Sequence, residues 1–103
     1  MDTNHYQEMY NVAVNEEQDD AVIEKIVNDF KDECVREIVD ELNTISLFIT
    51  KGERKRHDLA ERLFVRAWSE SDGYDDSFNR AYNKMWEEYE AFSELLSIAG
   101  YDY

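Results

Sequence analysis

The stretch DAVIEKIVNDFKDECVREIVDELNTISLFIT, residues 20–50, decides the fold. Its apolar side chains recur at steps of three and four residues, which is the period of an amphipathic α-helix. The members of this apolar stripe are Val22, Ile23, Ile26, Val27, Phe30, Cys34, Ile38, Leu42, Ile45 and Ile49. The pattern predicts one long helix over about residues 18–50, roughly 50 Å in length at 1.5 Å per residue. Lys51-Gly52 is typical of a helix C-terminus.

The end of this stretch has a second interpretation. Residues Thr44 to Thr50 are rich in β-branched side chains, which favour strands. An isolated strand leaves backbone donors and acceptors without partners, and no partner strand is evident elsewhere in the sequence. We therefore favour the helix.

Three further helices are predicted from the same period. A short first helix covers Thr3 to Val14, a third helix covers about Glu53 to Glu70, and a fourth covers about Asp76 to Ala99. Asp72-Gly73 is a turn signal between the last two helices, and the candidates to cap the fourth helix are Asp75, Asp76 and Ser77. With three glycines and no proline, the chain offers few helix breakers. We predict a single all-α domain over residues 1–103, a small bundle of about four helices with one long central helix.

The fourth predicted helix carries a regular seven-residue repeat of apolar and aromatic side chains. Steps of four and three connect Phe78, Tyr82, Met85, Tyr89, Phe92, Leu96 and Ala99. Such a repeat is typical of the core face of a helical bundle, and also of a coiled-coil seam. The seam of Tyr82, Met85, Tyr89, Phe92 and Leu96 is therefore also a candidate interface for a homodimer or another partner.

The charge balance narrows the classes of function. The chain has 25 acidic against 11 Lys and Arg residues, a formal charge of −14, whereas a magnitude of about 2–8 is enough to keep a small domain soluble. Phosphates would be repelled, so direct binding of nucleic acid is disfavoured and a basic partner is favoured. No apolar run approaches the roughly 18 residues of a membrane span. The first ten residues lack the features of a secretory signal and the chain has one cysteine, so we expect a cytoplasmic location.

Carboxylates concentrate on the polar side of the second helix, in the turn before the last helix and on the last helix. These candidate partner-binding residues are Asp29, Asp32, Glu33, Glu37, Asp40 and Glu41, then Asp72, Asp75 and Asp76, then Glu87, Glu88, Glu90 and Glu94. Acids one helical turn apart are about 5.4 Å apart along the axis, comparable with the roughly 3.4 Å advance of phosphates along a DNA strand. Acidic helix faces are usually only solvated, and this interpretation stays open here. Like charges at i and i+4 oppose helix formation, so a chain that retains several of them is also compatible with a functional acidic surface.

In size, acidity, helical character and lack of proline, the chain resembles the small DNA-mimic proteins by which phages and mobile elements block host defence nucleases, the antirestriction and anti-CRISPR proteins. The resemblance extends over the whole chain. It contains no diagnostic motif, so it transfers no functional residue. It implies an inhibitor that occupies the basic DNA- or RNA-binding groove of a DNA-processing or host-defence protein, in the host cytoplasm if the protein is phage-encoded.

Two other functions remain open. One is a helical adaptor, immunity or assembly protein that uses the aromatic seam of the last helix. The other is a nucleic-acid binder that uses the basic segment 51–66, which contains Lys51, Arg54, Lys55, Arg56, Arg62 and Arg66. The acids Glu53, Asp58 and Glu61 interrupt this segment, which favours ion pairing within the fold instead.

No residue pattern indicates an enzyme, a metal site or a cofactor. His57 with Glu61 at i+4 supplies at most half of a metal site. Cys34 lies on the apolar stripe of an acidic helix, where burial and carboxylates disfavour a reactive thiolate. We therefore predict no catalytic residue, no metal and no cofactor. Crowded carboxylates are expected to have raised pKa values in the fold, so stability should increase from pH 7 towards about pH 5.

Overall fold

Four α-helices form the part of the chain that the computed structural model describes. The described backbone covers residues 1–45 and 53–98, and the described side chains cover residues 1–44 and 56–94. The helices are α1 (Thr3–Asn15), α2 (Asp20–Ile45), α3 (Glu53–Ser71) and α4 (Ser77–Ile98). Within these ranges there is no strand, which confirms the all-α class and the small helical bundle.

The longest helix is α2, as the apolar stripe predicts, with 26 residues. At 1.5 Å per residue it is about 39 Å long. Thr44 and Ile45 are helical, so the strand interpretation is wrong at its first two positions. The rest of that segment, residues 46–50, lies outside the described residues, as do Gly52 and Gly100.

Contacts between side chains define an up-and-down arrangement. Tyr6 of α1 packs on Phe30 of α2 with ring centroids 5.3 Å apart, and Met1, just before α1, lies 4.0 Å from the Cys34 sulfur. Rising numbers on α1 therefore meet falling numbers on α2, so the two helices are antiparallel.

The other pairs of neighbouring helices are described by their contacts in the same way. Lys31 pairs with Glu61 while Phe30 contacts Phe64, so α2 and α3 are antiparallel. The α3 and α4 helices are joined by two further pairs, Arg66–Glu88 and Glu70–Lys84. With α1 packed on α4 through Gln7 and Phe78, the helices close a ring. Because each helix packs mainly on its two neighbours, α2 and α4 occupy diagonal positions.

The core is densest in aromatic rings where all four helices meet. Phe30 and Phe78 are fully buried, with ring centroids 4.8 Å apart. Around this pair lie Tyr6, Tyr10, Phe64 and Trp68. Further along α2 and α4 the interior is filled mainly by smaller or aliphatic side chains, which are Cys34, Ile38, Leu42, Ala60 and Met85, together with Tyr89.

Local interactions set the start and end of α1. The Asp2 carboxylate accepts a hydrogen bond from the backbone N–H of His5 at 3.1 Å, so Asp2 is the N-cap. After the helix, Glu17 adopts a left-handed conformation with φ of 53°. The N–H of Gln18 then bonds the carbonyl of Ala13 at 3.0 Å, which closes the helix end.

The start of α4 is capped by a residue distant in sequence. The Gln7 side-chain oxygen accepts a hydrogen bond from the Phe78 N–H at 3.0 Å. Among the candidates for the cap, the Asp76 carboxylate pairs instead with Arg80, and Ser77 donates its hydroxyl hydrogen to Gln7. Gly73, in the predicted turn, has φ of 96°, a conformation that favours glycine.

Candidate functional site: the acidic ridge of α2

The acids predicted on the second helix form a ridge along α2. We define this α2 ridge as Asp29, Asp32, Glu33, Glu37, Asp40 and Glu41. All of them are exposed except Glu37, which is half-buried. Asp29 and Glu41 are twelve residues apart, so the ridge extends about 18 Å along the helix axis.

Several ridge carboxylates have partners within the fold. Asp29 pairs with Lys25 at 2.9 Å in an exposed i,i+4 contact. Glu37 accepts a hydrogen bond from the Tyr82 hydroxyl at 2.8 Å, which ties α2 to α4 across the bundle. Burial, and then this contact with Glu37, raises the pKa of Tyr82. Burial, and then nearby Glu33, likewise raises the pKa of the Tyr6 phenol.

Three other ridge carboxylates face solvent. Asp32, Asp40 and Glu41 are exposed, and none forms an ion pair with a basic side chain in the described part of the chain. Two bases occur within the ridge. Lys31 turns to Glu61 of α3 at 2.9 Å, and Arg36 is exposed. Acids therefore outnumber bases on this surface, and it remains negative.

The predicted acids outside α2 do not extend the ridge. Asp76 pairs with Arg80, and Glu88 pairs with Arg66 at 3.3 Å. The other members of these two groups are exposed, namely Asp72, Asp75, Glu87, Glu90 and Glu94. Because α2 and α4 are diagonal, the solvent-facing sides of the two helices point away from each other. The thirteen predicted acids therefore form more than one surface.

The heptad seam of α4 is the core face of the bundle. Met85 and Tyr89 are buried inside the monomer, and Tyr82 and Phe92 are partly buried against the same core. The Leu96 side chain lies outside the described residues. A partner that used this seam would have to displace core packing around Met85 and Tyr89.

Among the arginines of the segment 51–66 whose side chains the structure describes, Arg66 forms an ion pair with an acid of another helix. Arg66 reaches Glu88 of α4, and Glu61 accepts from Lys31 of α2 while lying 3.5 Å from the His57 Nδ1. The Arg62 Nε donates to the backbone carbonyl of Asp58 at 3.4 Å. The side chains of Lys51, Arg54 and Lys55 lie outside the described residues.

One cluster of metal-ligating groups occurs in the described part of the chain. Ligand atoms of His57, Asp58 and Glu61 all lie within 4.8 Å of one another on α3. The Lys31 ammonium, however, is hydrogen-bonded to Glu61 and holds the pKa of that carboxyl below its usual range. An ammonium group at this position competes with a divalent cation, so we assign no metal here.

The cysteine environment agrees with the sequence-based expectation. Cys34 is a free thiol with no exposed surface. Burial, and then the neighbouring charges of Glu37 and Glu33, raises the pKa of the Cys34 thiol. A nucleophile needs the thiolate, so this environment suits a packing role.

A groove that sequence patterns did not indicate lies between α1 and α2. It has a volume of about 480 Å³. The residues that line it are His5, Glu8, Met9, Val12, Ala13, Gln18, Val22 and Ile26. Val12 and Val22 leave 52% and 41% of their surface exposed. The sequence signal was weak, because Val12 is not among the residues at three- and four-residue steps in α1, which are Tyr6, Met9, Tyr10, Ala13 and Val14. Only the pairing of α1 with α2 brings Val12 near Val22.

No family model, curated protein or solved structure matches this chain. Among the described helices, none has the combination of length and apolar character that crossing a membrane requires.

Proposed function

We propose that this protein is an inhibitor that binds the basic nucleic-acid-binding groove of a DNA-processing or host-defence protein and presents the α2 ridge in place of DNA. The observation that supports this proposal is a line of exposed carboxylates on one rigid helix. No basic side chain among the described residues pairs with three of them, Asp32, Asp40 and Glu41.

The spacing of carboxylates along the ridge is close to the spacing of phosphates along a DNA strand. Six carboxylates lie within about 18 Å of helix axis, roughly one every 3–4 Å, and phosphates advance about 3.4 Å per nucleotide along one strand. Arg36 and the Lys25–Asp29 pair reduce the net value, and Lys31 is engaged by α3. The remaining charge of the ridge is negative, because its acids outnumber these bases.

The proposed mechanism is direct competition. Lysine and arginine side chains that would hold phosphates in the target instead contact the ridge carboxylates, so the groove is unavailable to nucleic acid. Opposite charges on the two proteins attract over a Debye length, which is about 8 Å at physiological salt. Association is therefore fast at low salt and slows as salt is added.

The test is displacement of a labelled DNA duplex from a basic nuclease, followed by fluorescence anisotropy. A ridge variant combines Asp32→Asn, Glu33→Gln, Asp40→Asn and Glu41→Gln. A matched control variant neutralises the same number of exposed acids outside α2, with Asp72→Asn, Asp75→Asn, Glu90→Gln and Glu94→Gln. Both variants carry the same net charge, so any difference between them reports position.

The ridge variant is expected to need at least tenfold more protein for half displacement, because several charge-assisted contacts of about 1.5–3 kcal/mol each are lost. The control variant should stay within about threefold of the unmodified protein, the effect of net charge alone. If both variants need the same increase in protein concentration for half displacement, the interaction is non-specific charge attraction. That result would reject DNA mimicry by α2.

A further inference from the structure

The groove between α1 and α2 is an exposed apolar surface in a strongly acidic part of the molecule. Met9, Val12 and Ala13 of α1 and Val22 and Ile26 of α2 provide its apolar lining. Ala13 is buried at its base, while Val12 and Val22 stay about half exposed. Two valines this exposed on facing helices mark a site where apolar contact is available to another molecule.

The side chains around this groove are predominantly acidic, and one histidine, His5, also lines it. Residues 1–24 contain seven acids and no lysine or arginine. Glu8 lines the groove itself, and the connection from α1 to α2 adds exposed Glu16, Glu17 and Asp19, followed by Asp20 at the start of α2. The first basic side chain along α2, Lys25, is engaged by Asp29. The groove therefore favours an occupant that combines apolar side chains with positive charge.

The groove and the α2 ridge also share one face of α2. Val22, Ile26, Asp29 and Glu33 follow one another at steps of four, three and four residues, which places them in one row along the helix. An extended or helical partner segment lying along this row would contact valine and isoleucine first and carboxylates one to two turns later.

We propose that the α1/α2 groove binds the apolar side of a basic amphipathic helix that belongs to the target protein. This inference rests on the proposed function and adds an apolar anchor to its electrostatic contact. The anchor gives the protein a preference for one basic partner over a generic polycation, because a surface of carboxylates alone accepts any cation. A second copy of this chain is disfavoured as the occupant, since it would bring another −14 charges to an acidic rim.

The probe for this proposal is a synthetic leucine–lysine peptide patterned as an amphipathic helix. Its matched control has the same lysines, with serine in place of every leucine. Binding of each peptide is measured by isothermal titration calorimetry at low and at physiological salt. The groove variant is Val12→Gln with Val22→Gln, and the control variant is Val14→Gln, a valine of α1 that is 45% exposed and does not line the groove.

We expect the leucine–lysine peptide to bind the unmodified protein about tenfold more tightly than the serine control, the effect of burying one or two aliphatic side chains. The groove variant should lose that difference, and Val14→Gln should retain it. Circular dichroism should show the same helix content in all three proteins, because the substituted side chains are exposed.

Equal affinity for the two peptides, or an unchanged preference in the groove variant, would overturn the groove proposal. Self-association of the unmodified protein in sedimentation equilibrium that the groove variant abolishes would overturn it too, by assigning the groove to a second copy. The proposed function fails by a separate result, equal DNA displacement by the ridge variant and its control. The two ideas can therefore be rejected independently.

Discussion

The bundle has two sections that differ in how many helices enclose the core. In the four-helix section, α1 covers α2 up to Cys34, and the interior is filled by aromatic rings around Phe30 and Phe78. In the three-helix section, α2 continues beyond Cys34 with only α3 and α4 as neighbours among the described helices. There the fully buried side chains are mostly aliphatic, and Trp86 packs edge to face on Tyr89 with ring centroids 5.4 Å apart. A polar contact between Glu37 and Tyr82 joins α2 to α4. The largest group of mutually contacting rings therefore lies where four helices meet.

The largest expected effect tests whether the four-helix section dominates stability. Phe78→Ala should lower the free energy of unfolding by about 3–5 kcal/mol, since its ring touches those of Tyr6, Tyr10, Phe30 and Trp68 and leaves a cavity that rigid rings cannot close. Met85→Ala in the three-helix section should cost less, near the lower end of about 2–5 kcal/mol. Urea denaturation followed by circular dichroism measures both. A larger loss at Met85 would reverse the comparison.

The next effect concerns the polar contact of the three-helix section. Tyr82→Phe should destabilise the fold by about 1–2 kcal/mol, because it leaves the half-buried Glu37 carboxylate without its donor. Glu37→Gln should lower the pKa of the Tyr82 phenol, because it removes the second cause of the upward shift after burial. Difference absorbance of the tyrosinate in a pH titration detects this change. An unaltered titration curve would mean that the hydrogen bond does not persist in solution.

A smaller effect is expected from the cap that α1 provides to α4. Gln7→Ala should cost about 1 kcal/mol, since the Phe78 N–H at the helix start loses its acceptor. Gln18→Ala serves as the control, because among the described side chains that amide bonds the exposed Glu16 alone, and it should stay within about 0.5 kcal/mol. Thermal melting distinguishes the two variants, at about 4–8 °C per kcal/mol for a domain of this size. Equal melting temperatures of the two variants would show that the hydrogen bond from the Phe78 N–H to Gln7 does not stabilise the fold.

The smallest effect lies on the surface, where α3 meets α4. Hydrogen bonding to Lys84 lowers the pKa of the Glu70 carboxyl, and the same contact raises the pKa of Lys84. The stabilisation by Glu70 is therefore present above its ordinary pKa and lost as acid is added, and that of Lys84 is lost as pH rises through its raised value. Because both groups are exposed, solvent screening keeps the effect small.

Glu70→Gln should remove the corresponding part of the pH dependence at both ends of the range, as measured by urea midpoints at several pH values. An identical pH profile in the variant would show that the pair does not contribute. The sequence led us to expect raised carboxyl pKa values, but the two carboxyl shifts resolved in the described residues, at Glu61 and Glu70, are both downward. Each has a lysine from a neighbouring helix beside it, which counting charges along one helix does not reveal.

The spacing of residues along single helices predicts which side chains are buried, but it does not show which neighbours cover them. The steps from Phe30 to Cys34, Ile38 and Leu42 predicted a buried stripe, and all four side chains are fully buried. The seven-residue repeat of α4 left the core and an interface open as alternatives, because both require the same pattern. Burial of Met85 and Tyr89 inside one chain shows the repeat serving as the core face. Sequence analysis likewise located the carboxylates of α2 and α4, but it did not reveal that the two helices are diagonal.

The sequence by itself determined that this protein is helical, where its helices turn at Asp72-Gly73, that Cys34 is buried and that α2 is lined with acids. These properties depend on the spacing of residues along one helix, which the chain order records directly. Only the tertiary structure decided that α2 and α4 are diagonal, that Gln7 caps a helix 71 residues away, and that Val12 and Val22 share a groove. The periodicity of a helix shows which side is apolar, and the choice among neighbours that cover that side is made by packing of the whole bundle.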